Sequence, residues 1–338
     1  MRAAGAIDAT VLIATYNRAA LLDRTLASIQ QLRVTGGRWW DVIVVDNNSS
    51  DDTRAVVERH ARDFPVSLTY LFEARQGRSM ALNAGIAAST GTIVSMTDDD
   101  VLVDPGWLDA ACDALLNPGR PSIAYAGGPV APLWESAPPP WLDLSRGDLW
   151  GTIAIQDHGA RGFVYEEMKK VPLGANMAVR RSLFEAVGDF RQDLGRSSGR
   201  RLLGQEVPDL LGRARSRGLQ GVYVPAMRVQ HHIPSARLTR AYFRRWWFGK
   251  GVSRATAESG RPVTELGLDL KTAPHLFGVP RYMFRCAVDD LSGCLGGALR
   301  RRRADAFRHQ MMLVYFFGYV WARARSAHVS TLAATASR

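Results

Sequence analysis

Within the first hundred residues, short unbroken apolar runs alternate with segments of helical period. Residues 11–14 (Val-Leu-Ile-Ala), 42–45 (Val-Ile-Val-Val), 66–72 and 92–96 (Thr-Ile-Val-Ser-Met) read as strands. Between them, Leu21, Leu22, Leu26 and Ile29 mark a helix that Asn17 is placed to cap. Asp51 and Asp52 open a second helix carrying Val56 and Val57, and residues 79–88 form a third. A strand apolar on both faces must be covered on both faces. The expected class is therefore α/β, a mainly parallel sheet flanked by helices.

Sheets of this kind bind ligands beyond the carboxyl ends of their strands. Thr15, Asp46 and the triplet Asp98, Asp99 and Asp100 all fall at such ends. Three adjacent carboxylates raise one another's pKa, and a divalent cation relieves the repulsion. Hard oxygen ligands suit Mg²⁺ or Mn²⁺, which usually bind a substrate's phosphates as well as the protein. The bland alternative is a polar loop whose acids cap the next helix. The address shared with Thr15 and Asp46 favours a ligand site.

Beyond this region, residues 129–148 are rich in Pro, Trp and Gly and read as a long irregular connection of the kind that forms lids and binding loops. Residues 174–179 look like a turn entering a strand. Residues 207–217 read as a helix with Pro208 in its first turn, and 222–225 as a strand. After Pro234 the chain turns helical, basic and aromatic, and a boundary is expected near Arg237.

The chain has 338 residues, and 46% of them are hydrophobic, enough for a sizeable core. The net charge of +11 calls for a polyanionic partner such as nucleotide phosphates, anionic lipid or nucleic acid. The three cysteines are widely spaced and fit neither a zinc site nor a disulfide framework, so a reducing compartment is expected. The first residues lack the apolar core of a signal peptide, and no run reaches the length needed to span a bilayer. No Gly-x-Gly-x-x-Gly follows the first strand, which argues against a dinucleotide-binding dehydrogenase.

Taken in order, Val-Leu-Ile-Ala-Thr-Tyr-Asn-Arg (11–18), Val-Val-Asp-Asn-Asn-Ser-Ser-Asp (44–51), Gly-Arg-Ser-Met-Ala-Leu-Asn-Ala-Gly (77–85) and Asp98-Asp99-Asp100 resemble the family 2 inverting glycosyltransferases. That resemblance implies the GT-A fold over residues 1–236, followed by a basic, aromatic-rich helical region at 237–338. It implies that Thr15 and Asp46 border the base and ribose of a nucleotide-sugar donor, with Arg78 near the nucleotide. Asp98 and Asp100 match the ends of the family's Asp-x-Asp motif. Asp100 would be the direct ligand of Mn²⁺ or Mg²⁺, and Asp98 would lie toward the ribose or the metal's water. His231, in Val-Gln-His, matches the histidine that reaches metal or diphosphate. Glu206, in Gly-Gln-Glu, falls where the catalytic base belongs, with Gln205 in place of the usual first acid. Pro208 and Asp209 break the pattern by an apparent one-residue insertion, which makes Asp209 the reserve base. Asn83 reads as structural, tying down a loop.

The resemblance implies a metal-dependent hexosyltransferase that moves a sugar from a nucleotide diphosphate, with UDP-sugar the expected donor, to a hydroxyl acceptor. A lipid-linked glycan in polysaccharide or glycolipid assembly is the candidate acceptor. The alternative is a non-catalytic protein that binds nucleotide-sugar or nucleic acid. In the tail, cations interleave with Trp246, Trp247 and Phe248, and Arg300, Arg301, Arg302 and Arg303 precede an apolar run with Phe316, Phe317 and Trp321. This suits a helix lying on an anionic membrane surface. Single-stranded nucleic acid and a helical subdomain with a solvated basic face are the other readings. No nucleic acid is expected as the partner. The expected location is cytoplasmic, peripheral on the inner face of the plasma membrane.

Overall fold

The computed structural model describes residues 6–145, 147–167, 170–194, 205–259 and 274–336. They form two compact units. The first takes in the described residues up to Leu133, residues 154–194, and Glu206–His232. The second contains Trp134–Ile153 and the chain from Ile233 on.

The first unit opens with β1 (Ala9–Thr15), α1 (Ala19–Ile29), β2 (Trp40–Asp46), α2 (Thr53–Ala61), β3 (Leu68–Phe72), α3 (Arg78–Ala88) and β4 (Ile93–Asp98). There follow β5 (Val101–Val103), α4 (Trp107–Leu115), β6 (Ile123–Gly127) and β7 (Val130–Trp134). It closes with β8 (Phe163–Val164), β9 (Asn176–Arg180), α5 (Arg181–Val187), α6 (Glu206–Arg215), β10 (Gln220–Tyr223) and β11 (Val229–Ile233). Eight strands form one sheet in the order β3-β2-β1-β4-β9-β6-β10-β8. The run β3-β2-β1-β4 is parallel throughout, and β9 enters antiparallel between β4 and β6.

Both faces of the sheet are buried, as the unbroken apolar runs require. Val11, Ile13, Val42 and Val44 point to one core, where α1, α2 and α4 supply Leu22, Leu26, Val56, Trp107 and Leu108. Leu12, Ile43, Val45 and Met96 point to the other, against Leu82 of α3, Leu183 of α5 and Leu210 of α6. A separate three-stranded sheet, β5-β11-β7, lies immediately after the acidic triplet.

Asn17 does not cap α1. It sits at φ +50 and accepts a hydrogen bond from the Ser50 N–H at 2.7 Å. The helix start is served from outside, because the Ala19 N–H donates to Asp51 Oδ2 at 2.9 Å. Asn83 ties down a loop as expected: its amide donates to the Phe190 carbonyl at 2.9 Å and accepts from the Phe190 N–H at 3.1 Å.

The second unit is built on α7 (Arg240–Ser259), the hairpin β12 (His275–Leu276) and β13 (Val279–Pro280), α8 (Arg281–Leu299) and α9 (Arg303–Ala336). The helices α7 and α9 cross closely through two glycines. A Cβ on Gly251 would lie 2.1 Å from the Tyr315 carbonyl oxygen, and one on Gly318 2.2 Å from that of Phe248. Around the crossing pack Val252, Met283, Tyr319, Phe248, Phe316 and Trp321. Trp247 is buried, and Lys250 lies over its ring at 4.7 Å. Most of the aromatics expected to face lipid are therefore the packing of this unit. Phe317 is the exception and stays exposed.

Candidate active site

Parallel pairing sets Thr15 opposite Asp46, and Ala14 opposite Asp98, so the strand ends of β1, β2 and β4 deliver their polar residues side by side. The antiparallel pairing of β11 with β5 sets His231 opposite Val101, just past the triplet. His231 Nε2 thereby comes to 3.3 Å from Asp100 Oδ1, and the His232 N–H donates to the Asp100 carbonyl at 2.8 Å.

Two arginines hold the carboxylates together. Arg18 Nη1 lies 2.8 Å from Asp99 Oδ1 and 3.0 Å from Asp100 Oδ2. Arg78 Nη2 donates to Asp98 Oδ1 at 2.8 Å, and its Nη1 donates to Glu206 Oε1 at 3.1 Å. Arg78 also reaches the Gly174 carbonyl at 3.2 Å. One guanidinium thus couples the end of β4 to the first residue of α6. The result is an alternation of charges running from Glu206 through Arg78 to Asp98, and from Asp100 through Arg18 to Asp99.

The middle acid is the most enclosed. Asp99 Oδ2 accepts from the Thr15 hydroxyl at 2.8 Å, and the Asp99 carbonyl accepts from the Thr25 hydroxyl at 2.9 Å. Burial pushes the Asp99 carboxyl up to about 6, against the pull of Arg18. Burial also acts to raise Asp98, but Arg78 outweighs it and the net shift is downward. For Arg18 and Arg78, burial disfavours the charge, while the surrounding carboxylates more than offset it and raise both guanidinium pKa values.

Asp46 stands apart from this chain of charges. Its Oδ2 accepts from the Tyr70 hydroxyl at 2.7 Å and its Oδ1 from the Ser49 N–H at 2.8 Å. Burial, then Asp46, pushes the Tyr70 hydroxyl up to about 12. Thr15 is also committed inside the protein, through its hydroxyl to Asp99 and its carbonyl to the Asn47 N–H at 2.9 Å.

Glu206 and Asp209 share one turn of α6 but differ in their surroundings. Asp209 is held by Arg213 at 3.0 Å and Arg191 at 3.6 Å. Glu206 has one oxygen on Arg78, and its buried Oε2 has no hydrogen-bond partner among the described residues. Pro208 is the third residue of the helix, where a missing N–H leaves no intrahelical bond unmade.

Among the described residues, no three His, Cys, Asp or Glu side chains converge as a ready metal cage. Asp100 and His231 do converge, and Asp98 is 31% exposed beside them. That donor set fits a cation held by one or two carboxylates that completes its shell with substrate phosphates. A neutral imidazole in the set favours Mn²⁺ over Mg²⁺.

Residues 10–188, just over half of the chain, match the sequence profile described as glycosyl transferase family 2. The chain belongs to that family. A Haloferax volcanii glucosyl-dolichyl phosphate glucuronosyltransferase is 26% identical over 210 residues, which cover 62% of this chain and 64% of that protein. The Rhizobium meliloti succinoglycan biosynthesis protein ExoM is 25% identical over 292 residues, 86% of each chain. Among solved structures, the Pyrobaculum calidifontis mannosyltransferase PcManGT, in complex with GDP-Man and Mn²⁺, superposes with a TM-score of 0.54 at 19% identity. That match covers 98% of this chain and 80% of that one. GalNAc-T7 with UDP, GalNAc and Mn²⁺ superposes with a TM-score of 0.51 at 16% identity, over 78% of this chain and 52% of that one. The shared architecture is the GT-A fold.

Four contributors carried no individual role in the sequence reading. Arg18 and Asp99 stood inside the motifs, but their mutual pairing spans 81 residues of chain. Tyr70 reads only as a strand residue. Asn47 accepts from the Gly77 N–H at 2.7 Å and donates to the Arg75 carbonyl at 2.8 Å, fixing the loop that launches Arg78. The signal was the Asp-Asn-Asn sequence at the end of β2, since a carboxamide there can serve a neighbouring loop.

Proposed function

We propose that this glycosyltransferase catalyses an inverting, metal-dependent transfer of a hexosyl group from a nucleotide diphosphate, UDP the preferred carrier, to an acceptor hydroxyl. The observation that carries the reading is Glu206: one oxygen is anchored by Arg78 and the other is buried without a partner, beside the acidic strand ends. A carboxylate in that state is poised to accept a proton. In a single displacement, the acceptor oxygen bonds to the anomeric carbon as the bond from that carbon to the diphosphate breaks. The hydroxyl proton passes to Glu206 Oε2, and the nucleoside diphosphate departs with the bonding electrons. The pairing of Asp209 with two arginines supports Glu206 over Asp209 as the base.

Arg78 pairs with both Glu206 and Asp98 and fixes their separation. Asp46, with Tyr70, and Thr15 edge the base and ribose. Asp98, Asp100 and His231 would hold Mn²⁺ or Mg²⁺. When bound, such an ion acts as a Lewis acid that neutralises charge on the leaving diphosphate. All of these residues lie in the first unit, which would be the catalytic domain. The acceptor class is a lipid-linked glycan of polysaccharide or glycolipid assembly, met at the cytoplasmic face by an enzyme attached peripherally through residues 237–338. Among the described residues no helix is long and apolar enough to cross a membrane, in keeping with attachment at a surface.

A thermal-shift panel of nucleoside diphosphates with Mn²⁺, Mg²⁺ or chelator tests donor and metal together, because a ligand of the native state raises its apparent stability. UDP with Mn²⁺ should give the largest rise, and Asp100→Ala should abolish it. A full shift in excess chelator would overturn the metal assignment.

A further inference from the structure

The second unit exposes apolar residues where a packed helical unit would be polar. On α8, Val288, Leu291, Leu295 and Leu299 are all exposed, Leu299 at 85%. Their spacings of three, four and four residues put them on one face of the helix. The opposite face carries Met283 and Gly297, which are buried. Just before α8, the hairpin turn presents Phe277, 90% exposed, next to Leu276. Scattered exposed apolar residues are ordinary, but a continuous stripe with an exposed aromatic tip marks an interaction surface.

Cations frame this stripe at both ends. Arg281 and Arg285 stand exposed in the first turns of α8, and Arg300, Arg301, Arg302 and Arg303 stand exposed at its end. Among the described residues Arg300, Arg301 and Arg302 have no acidic partner. Arg301 takes a left-handed φ of +55, a conformation that glycine adopts at least cost. The corner therefore carries its charge where a neutral glycine would strain the chain less.

Between the end of α8 and the start of α9 lies an open cleft of about 390 Å³. Gly293, Gly296 and Gly297 line it from α8, and Arg300, Arg302 and Arg308 line it with positive charge. Arg308 is fixed in place: its Nη1 lies 3.4 Å from Asp148 Oδ2 and its Nη2 3.0 Å from His309 Nε2. His309 Nδ1 in turn lies 2.8 Å from Asp290 Oδ1. The one acid on the lining is Asp305. A Cβ on Gly296 would meet nothing within 4 Å, so the cleft is open at that glycine, whereas one on Gly293 would lie 2.5 Å from the His309 ring and one on Gly297 2.9 Å from the Ala306 nitrogen.

We infer that this corner is a docking site for an anionic phospholipid surface: a headgroup phosphate sits in the arginine cleft while the α8 stripe and Phe277 enter the interface. The inference rests on the peripheral-membrane part of the proposed function and names the surface and the group recognised. Arginine suits phosphate oxygens through its forked donors. An amphipathic helix with apolar residues between cationic ends suits the headgroup boundary. Single-stranded nucleic acid would need stacking aromatics along the cationic path, but the exposed aromatics Phe277 and Tyr282 lie only at the start of α8, and the stripe from Val288 to Leu299 is aliphatic.

The test is flotation of the full-length protein with vesicles of phosphatidylcholine alone, or mixed with phosphatidic acid or phosphatidylglycerol at equal surface charge. Wild-type protein should float with both anionic mixtures at low salt, prefer phosphatidic acid, and lose part of that preference to added inorganic phosphate. Gly296→Glu adds a carboxylate at the cleft wall, where the Cβ itself meets nothing within 4 Å. It should lower binding to phosphatidic acid vesicles by roughly tenfold and remove the headgroup preference, with its melting temperature kept. Leu291→Ser with Leu295→Ser should weaken binding to both mixtures alike. If Gly296→Glu binds and discriminates as wild type does, the cleft is not the headgroup site, although the membrane reading stands. If wild type ignores every anionic vesicle, binds a single-stranded oligonucleotide instead, or forms a dimer that Leu295→Ser dissolves, both are overturned.

Discussion

Replacing Arg78 with Met keeps most of the side chain's volume and removes the one group shared by Asp98 and Glu206. Both carboxylates are then enclosed without their counter-charge. Removing one partner of a buried pair costs about 3–5 kcal/mol, mainly as the penalty of the charge left behind. The Arg78 side chain is 19% exposed and that of Asp98 31%, which points to the lower end, about 3 kcal/mol. The sign of the pH dependence follows. In the wild type, Asp98 is held below its ordinary value, so its contribution is present at neutral pH and fades as pH falls through the carboxylate range. Without Arg78, burial alone raises the pKa, and protonation relieves the penalty. The deficit of Arg78→Met should therefore be largest at about pH 7 and shrink toward about pH 5. Arg78→Lys keeps the charge but lacks the fork that spans two carboxylates, and should lose about 1–2 kcal/mol. Urea denaturation in chelator at the two pH values is the assay, because a bound cation would compensate the same carboxylates. Arg78→Met as stable as wild type at about pH 7 would refute the bridging role.

Gly318→Ala would drive a methyl group against the Phe248 backbone, and should destabilise by about 1–3 kcal/mol in thermal melts. Gly296→Ala, facing open space, should be neutral or stabilising by up to about 1 kcal/mol. Asp99 has a folded pKa of about 6 against an ordinary 3.8, so the folded state binds the extra proton. Metal-free protein should then gain stability as pH falls from about 7 to about 4, by at most about 3 kcal/mol, with Asp99→Asn lacking that component.

The alternation of β1 to β4 with α1 to α3 was legible because both faces of those strands are buried, which leaves unbroken apolar runs. The antiparallel entry of β9 between β4 and β6 was not legible, since nothing local in Asn-Met-Ala-Val-Arg tells its direction or its neighbours. Asn17 misled for a related reason. It is a good cap by composition, yet its left-handed backbone turns it to Ser50, while Asp51 reaches α1 from 32 residues away. At the site, the residue types and strand-end addresses were readable, but the bonds between them were not. Arg78 was expected near a nucleotide, and its bond to Glu206, the far arm of its bridge from Asp98, spans 128 residues of chain. In the tail, cations and aromatics were plain in the sequence. Which of them face outward depends on the glycine crossing of α7 and α9, which buries Trp247 and leaves the aliphatic stripe of α8 in the open.

The central claim is that Glu206 takes the acceptor's proton, and single-turnover transfer by Glu206→Gln, beside Asp209→Asn, tests it most directly. Glutamine keeps the shape and the Arg78 contact but has no basic oxygen. Transfer should fall by roughly 10²-fold or more, with donor binding unchanged in calorimetry, while Asp209→Asn retains substantial turnover. A Glu206→Gln enzyme that transfers sugar at the wild-type rate, with Asp209→Asn inactive but folded, would contradict the account and move the base one turn along α6.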